Sequence, residues 1–438
     1  MGARPAAGRR LNAAGARSRL ASASLLVLPI GLLAIAFAAY HLFDFHVFWQ
    51  AGRDVVAGRS PYPPPASLAA DARNYYVYPP PVALLATPLA VLPFPVAGAL
   101  FSALLLAALV VTLRILGADD RRLYAVPLLW VASLQAIGAG TLAPLLVLGL
   151  AVAWRYRERR VVAALGIACV LAAKLFLWPV LVWLLATRRF AAASGALLAG
   201  AAVTAASWAA IGFAGLSSYP HLLRTLVHVE GNRSFSLAAL ARSLELPGGA
   251  GRGLLLAASL ASVAAISLLA RRTEGDRRAF AAAICLSLVL SPIVWLHYYL
   301  LLLVPIALTS RRLGPLWLAP AVLFLPYADS GGVTWRIALA FAVIGVVLGA
   351  TAGAGRRGRL QARLVPVWLT GRTPALRNRG LEPRSGLPSA RTPRIAPRAC
   401  SNHPSSIRRS PRWPKTQRRS RRTSTRWCSR TSGRGCST

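Results

Sequence analysis

Acidic residues are scarce in this chain. Its 438 residues include 12 Asp or Glu against 51 Lys or Arg, and only 14% of all residues are charged. By contrast, 56% are hydrophobic, and the sequence repeatedly shows apolar runs long enough to cross a bilayer core of about 30 Å. This composition indicates a polytopic membrane protein rather than a soluble domain.

The apolar runs lack the alternation of polar and apolar residues that marks a half-buried strand. They are rich in Leu, Ala and Val, and in lipid a helix satisfies its backbone hydrogen bonds within its own segment. We therefore predict an all-α polytopic membrane protein with about 12 transmembrane helices, several of them short.

Features of disulfide-bonded, nucleotide-binding and metal-binding proteins are also missing. Of the five cysteines, two fall in apolar segments and three in the C-terminal tail, so no disulfide framework is predicted. No nucleotide-binding loop occurs, and His41, Asp44 and His46 are too few for a metal-ligand set. We predict that the protein uses no metal and no cofactor.

The net charge of +39 does not indicate a nucleic-acid partner, because residues 356–438 contribute 22 Arg or Lys against the single acid Glu382. From Arg356 onward, helical periodicity ends and Arg, Ser, Pro and Thr dominate, which predicts a disordered basic tail. We hypothesise that this tail is an out-of-frame extension of the coding sequence. The alternative is a basic tail that is attracted to anionic lipid.

The N-terminus has the pattern of a signal peptide or a signal anchor. Residues 1–19 carry five arginines, and an apolar stretch then runs to Tyr40. Because this stretch is longer than a usual signal-peptide core, we favour an uncleaved anchor with a cytoplasmic N-terminus. A membrane domain would then cover residues 20–355, with a first outer loop at 41–94.

Short arginine clusters set the predicted topology, since basic loops tend to stay on the cytoplasmic side. If each cluster is cytoplasmic, the apolar runs 123–154, 161–187 and 279–309 must each go out and return as a hairpin. The predicted outer breaks of these hairpins are residues 135–141, Lys174 and residues 291–292. A second outer loop is predicted at 213–252. The alternative for 161–187 is one long tilted helix.

Asp44 is the first candidate for chemistry. It follows the first apolar helix and is flanked by Phe43, Phe45 and Phe48. A carboxylate among aromatic side chains at a membrane boundary is partly desolvated, which suits a general base. The alternative is an interfacial cap beside an aromatic belt.

Lys174 and His297 are the next candidates. Lys174 is the only lysine before the tail and lies within an apolar run, where a charge is costly unless it has a partner or faces a water-filled cavity. A phosphate of a lipid-linked substrate is a candidate counter-ion, and snorkelling to the surface is the alternative. His297 follows a proline break, where it could contact a phosphate or an acceptor hydroxyl, or be satisfied by a neighbouring helix.

Arg53 and Tyr62 belong to the first outer loop, to which they bring a positive charge and a stacking surface. Asn232 lies in the segment GNRSFS of the second outer loop. Taken singly, each is typical of a solvated or interfacial position, and the pattern alone does not separate that interpretation from substrate binding.

Several stretches together resemble one family. The segments DFHVFWQAGRDVVAGRSPY and YVYPPPVALLATPLAVLP resemble the first outer loop of glycosyltransferase family 87, the polyprenyl-phosphate-mannose-dependent α-mannosyltransferases. Three later segments resemble further motifs in the family's order, and the resemblance covers about residues 20–355. These segments are KLFLWPVLVWLLATRRF, GNRSFS and SPIVWLHYYLLLLVP.

The resemblance implies a C-type membrane glycosyltransferase fold and a hexosyltransferase that acts on the non-cytoplasmic face of the plasma membrane. It implies that Asp44 is the catalytic base and that Lys174 and His297 line the donor site. We add Arg53, Tyr62 and Asn232 as predicted substrate-binding residues.

The implied partners are a polyprenyl-phosphate sugar donor, a glycolipid or glycan acceptor and membrane lipid, with no nucleic acid. Two departures leave the acceptor open. The segment GAGT at residues 138–141 lacks the glutamine that often follows the glycine in the family, and the second outer loop is short.

A transporter or flippase for a lipid-linked sugar is the alternative function. Such proteins place ionisable groups near the bilayer midplane and often contain internal repeats. Here only Lys174 could lie that deep, no internal repeat is evident, and the carboxylates cluster in loops. These features favour an enzyme.

Overall fold

The computed structural model describes residues 27–63, 75–328 and 334–364. These residues form α-helices and short 3-10 helices with no strand, which confirms the predicted all-α class. The predicted basic N-terminus at 1–19 and the part of the predicted tail from 365 to 438 lie outside the described residues.

The α-helices are numbered in chain order. They are α1 (Val27–Tyr40), α2 (Phe43–Val56), α3 (Pro80–Ala90), α4 (Phe94–Leu116), α5 (Val131–Gly138), α6 (Ala143–Arg155), α7 (Arg160–Ala173), α8 (Pro179–Ala186), α9 (Phe190–Ala210), α10 (Tyr219–Glu230), α11 (Leu237–Ser243), α12 (Gly248–Ala270), α13 (Gly275–Leu290), α14 (Leu303–Thr309), α15 (Pro315–Leu318) and α16 (Thr334–Leu364).

Four of the described helices are long and apolar enough to cross a membrane: α4, α9, α12 and the first 20 residues of α16. Two bent pairs raise the number to six if each pair is one span, namely α1 with α2, bent by 56°, and α5 with α6, bent by 114°. The predicted 12 crossings are therefore not confirmed by length and composition. Several of the remaining apolar helices are short, as the sequence indicated.

Two segments differ from the sequence prediction. The predicted first outer loop begins with α2, a 14-residue helix that buries its aromatic face. The last helix, α16, continues to Leu364 and so runs past the predicted end of the membrane domain at residue 355. Helix α3 also lies within the predicted first outer loop.

All three predicted hairpins break close to the predicted residues. Helix α5 ends at Gly138 and α6 begins at Ala143. Helix α7 ends at Ala173, and Lys174 after it has extended backbone angles of φ −151° and ψ 100°. Helix α13 ends at Leu290, where a short coil leads into a 3-10 helix.

A polar cluster decides between a hairpin and a single helix for residues 161–187. The Asp276 carboxylate accepts hydrogen bonds from Arg157 at 2.8 Å and from Arg189 at 2.9 Å. It also accepts one from the Trp183 indole at 2.7 Å. Since Arg157 precedes this segment and Arg189 follows it, both of its ends lie together, and the segment is a hairpin rather than one long helix.

Helices α2, α3 and α4 pack around their own aromatic core beside the main one. Gly52 of α2 lies so close to α3 that an added Cβ would be 2.9 Å from the Ala90 Cβ and 3.0 Å from the Ala86 carbonyl carbon. Phe45 and Phe48 are fully buried in this core. This packing fixes α2, and with it Asp44, against the rest of the bundle.

The polar cluster yields a stability prediction. Asp276→Asn removes the charge that accepts from two guanidinium groups, so we expect a loss of about 2 kcal/mol in the free energy of unfolding. The thermal midpoint of the detergent-solubilised protein measures this loss. Glu274→Gln is the matched control, because Glu274 is half-exposed and pairs with Arg277 at 3.2 Å. Its expected cost is below about 1 kcal/mol, and equal shifts for the two variants would contradict the prediction.

Candidate active site

A cavity of about 830 Å³ lies beside the end of α1 and the start of α2. Its walls are completed by Tyr75, Val77 and Tyr78, by parts of α5 and α10, by Arg233 and Phe235, and by the start of the 3-10 helix Leu296–Leu302. Its polar lining includes Asp44, His46, Gln135, Glu230, Arg233 and His297. A cavity of this size is typical of sites that enclose a small-molecule ligand.

Asp44 lies in the first turn of α2, directly after a sharp break in the chain. His41 and Leu42 both have positive φ, of 50° and 54°, and the chain bends by 56° at this point. The backbone N–H of Asp44 then donates to the Ala139 carbonyl at 2.8 Å, and that of Leu42 donates to the Gly138 carbonyl at 3.0 Å. The half-buried carboxylate is thus anchored to the end of α5 through backbone bonds.

Two glycines at the end of α5 allow this close approach. A Cβ on Gly138 would lie 2.8 Å from the Ala36 carbonyl oxygen, and one on Gly140 would lie 2.6 Å from the Phe45 Cβ. Gly140 also has a φ of +71°, a backbone conformation that residues other than glycine rarely adopt. The segment predicted only as a hairpin break therefore also holds the α1–α2 break in place.

Lys174 lies against a group of aromatic rings next to the cavity. Its Nζ is 3.6 Å from the centre of the Tyr78 ring, 5.4 Å from that of Tyr298 and 5.9 Å from that of Trp295. Tyr78 and Trp295 line the cavity, whereas Lys174 is not among the lining residues. The ammonium therefore lies just behind the cavity wall.

His297 completes the group. Its side chain is only 7% exposed, and its ring lies 4.3 Å from the Tyr298 ring and 5.9 Å from the Trp295 ring, measured between centroids. Nε2 has no hydrogen-bond partner among the described residues. His297 lines the cavity, although Nε2 itself is enclosed by protein atoms.

Arg53 and Asn232 are not brought to the cavity. Arg53 is exposed on α2, with its guanidinium carbon 4.9 Å from the centre of the Trp49 ring. Asn232 is exposed in a short 3-10 turn, and its neighbours Glu230 and Arg233 line the cavity instead. The geometry therefore does not support a direct contact between either residue and a ligand in this cavity.

Tyr62 is also absent from the lining, but it supports a residue that belongs to it. Its hydroxyl donates to the Tyr78 carbonyl at 2.9 Å, and its ring stacks on Trp208 with centroids 5.2 Å apart. Burial raises the pKa of Tyr62 above its ordinary value, so the hydroxyl stays a donor. The Tyr219 hydroxyl donates to the neighbouring Val77 carbonyl at 3.2 Å. Together these bonds pin the backbone beside the cavity.

The sequence analysis missed Gln135, Glu230 and Arg233 as lining residues. A signal for Glu230 was present, because Leu222, Leu226 and Glu230 recur at a spacing of four and all three are buried on one face of α10. Their spacing predicts an inward-facing carboxylate. Across the described residues, no three His, Cys, Asp or Glu side chains are grouped closely enough to hold a metal ion.

Comparison with known proteins gives one match. A family model described as glycosyltransferase family 87 matches residues 76–296, which is half of the chain. The matched region includes Tyr78 and Lys174, begins after Asp44 and ends one residue before His297. Neither the curated proteins nor the solved structures gave a match.

The packing of Gly140 yields a prediction. We expect Gly140→Ala to shift the start of α2 and reduce activity at least tenfold, because the new Cβ meets Phe45 and the backbone strain alone costs on the order of 1–2 kcal/mol. Gly58→Ala is the matched control. Gly58 has a similar φ of +68°, but no atom lies within 4 Å of the place that an added Cβ would occupy.

Activity and thermal midpoint are measured for both variants. The control should show the backbone strain in the midpoint without the loss of turnover. If Gly140→Ala retained full turnover, the proposed anchoring of Asp44 by this glycine would be wrong.

Proposed function

Because the chain belongs to glycosyltransferase family 87, we propose that it transfers a mannosyl residue from a polyprenyl-phosphate donor to a hydroxyl of a glycolipid or glycan acceptor. One observation carries the proposal. Asp44 and His297 line one cavity, and the Lys174 ammonium lies directly behind its wall. A carboxylate base and two groups able to stabilise a phosphate are therefore present within a single site.

In the proposed mechanism, Asp44 removes the proton of the acceptor hydroxyl. The oxygen attacks the anomeric carbon from the face opposite the phosphate, a new C–O bond forms, and the bond to the phosphate oxygen breaks with inversion. The electron pair leaves with the lipid phosphate. Lys174 and an Nε2–H of His297 stabilise the negative charge on that phosphate as it departs.

The positions of the basic clusters support a reaction on the non-cytoplasmic side. Helix α7 has 14 residues, so Lys174 lies about 21 Å from Arg160 along the helix axis. The arginine clusters are at the other end of these hairpins, where basic residues favour the cytoplasm. The proposed site therefore faces the non-cytoplasmic side of the plasma membrane.

The surroundings of Lys174 suit a donor that stays in the bilayer. Leu175, the next residue, is 73% exposed, and an exposed leucine in this apolar region faces lipid. A polyprenyl chain could lie in the hydrocarbon while its phosphate reaches the site. A long apolar carrier would thus not need a cavity of its own.

The first test concerns the base. Asp44→Asn should reduce kcat at least 10³-fold with little change in donor affinity, because it keeps the shape of the side chain and removes its basicity. Transfer from polyprenyl-phospho-mannose to a mannoside by protein in detergent measures kcat. Asp54→Asn is the matched control, since Asp54 lies on the same helix in an exposed pair with Arg59. Undiminished turnover in Asp44→Asn would exclude Asp44 as the base.

The second test concerns the leaving group. His297→Gln should reduce kcat on the order of 10²-fold, as expected when one preorganised donor to a developing charge is displaced. A donor with a better leaving group should recover part of the loss, because its phosphate needs less stabilisation. His228→Gln on α10 is the control, since His228 is exposed and outside the cavity. An equal loss with both donors would contradict the role of His297 at the phosphate.

A further inference from the structure

Tyr78 contacts both the cavity and the buried cation behind it. It lines the cavity, and the centre of its ring is 3.6 Å from the Lys174 Nζ. A cation this close to a ring centre is attracted to the negative face of the ring, most strongly where water is excluded. Of the three rings around the ammonium, the Tyr78 ring is the nearest.

The Tyr78 ring is itself held on several sides. Its backbone carbonyl accepts from the Tyr62 hydroxyl at 2.9 Å, and its ring meets Phe48 edge to face with centroids 4.8 Å apart. Its hydroxyl lies 3.4 Å from that of Tyr298. Tyr78 is only 5% exposed, so the ring has little freedom to turn away from Lys174.

Among the described residues, no carboxylate oxygen lies within 4.0 Å of the Lys174 Nζ. A carboxylate in contact would satisfy the ammonium, but it would also neutralise the charge and compete with an incoming phosphate. Ring faces stabilise the cation and leave its N–H groups able to donate. The aromatic rings thus stabilise the ammonium without neutralising its charge.

We propose that Tyr78 is a positioning residue that holds the Lys174 ammonium at the cavity wall for the phosphate of the donor. This inference rests on the proposed function and adds a residue to its donor site. The aromatic ring of Tyr78, and not its hydroxyl, holds the ammonium. Tyr62 supports this arrangement, because its hydroxyl donates to the Tyr78 backbone carbonyl.

The test compares Tyr78→Phe, which keeps the ring, with Tyr78→Leu, which removes it. For the Leu variant we expect the donor KM to rise roughly tenfold or more, with the acceptor KM unchanged. The Phe variant should recover most of that loss. A rise in acceptor KM instead, or equal losses in the two variants, would overturn the proposal.

A second series guards against misfolding of the Leu variant. Phenylalanines with one, two or three ring fluorines at position 78 keep the shape and progressively weaken the negative ring face. The donor KM should rise with each fluorine. A donor KM that does not change along the series would overturn the role of the ring.

A matched control uses a tyrosine at the far end of the bundle. Tyr156 lies between Arg155 and Arg159, whose guanidinium carbons are 5.6 and 5.5 Å from its ring centre. Tyr156→Leu removes such a ring away from the cavity and should not change the donor KM. An increase equal to that of Tyr78→Leu would show a general effect of lost packing and overturn the proposal.

Acylation of Lys174 separates this proposal from the proposed function. Lys174 is the only lysine before Lys415, so its modification by acetic anhydride can be followed by peptide mass spectrometry without any substrate. Acylation should be faster in Tyr78→Leu than in the wild type, and Tyr78→Phe should resemble the wild type. Equal rates in all three would overturn the proposal. Absence of mannosyl transfer by the wild type, with the expected acylation rates, would refute the proposed function alone.

Discussion

The site depends on the backbone contact between the start of α2 and the end of α5. The N–H groups of Leu42 and Asp44 donate to the Gly138 and Ala139 carbonyls, which satisfies groups that a helix start otherwise leaves without partners. These bonds can form only because Gly138 and Gly140 leave room for the neighbouring chain. A carboxylate that follows a left-handed break would otherwise have no fixed direction. Here its backbone is tied to the same helix end that borders the cavity.

The second condition is that the carboxylate and the ammonium remain separate. A direct pair of Asp44 with Lys174 would satisfy both charges and leave neither free for a substrate. The aromatic residues around Lys174, chiefly Tyr78 and Tyr298, stabilise it instead. For the proposed reaction this separation matters, because a base and a phosphate-binding cation must act at opposite sides of one sugar carbon.

The sequence predicted those residues of the site that are polar groups placed at a free-energy cost in apolar segments. A lysine in an apolar run, a proline break before a histidine and a carboxylate at a helix boundary are each expensive in lipid, and Asp44, Lys174 and His297 all lie at the cavity or its wall. It did not predict α2, because the amphipathic pattern in FDFHVFWQAGRDVV was interpreted as a loop between membrane segments. It also did not predict that the Tyr62 hydroxyl donates to the backbone of a residue 16 positions away. Such a contact leaves no periodic signal.

The number of crossings and the depth of the proposed site both depend on the broken hairpins. Each broken run was counted as two spans, but the shorter arms, such as the eight-residue α8, are about 12 Å long and cannot cross a 30 Å core alone. In the proposed topology these arms would end inside the bundle, with the breaks below the outer surface. A site at that depth is poorly placed for a soluble sugar nucleotide, which would have to leave water. Under the proposed function, a sugar phosphate on a polyprenyl chain would reach such a site from the lipid beside Leu175.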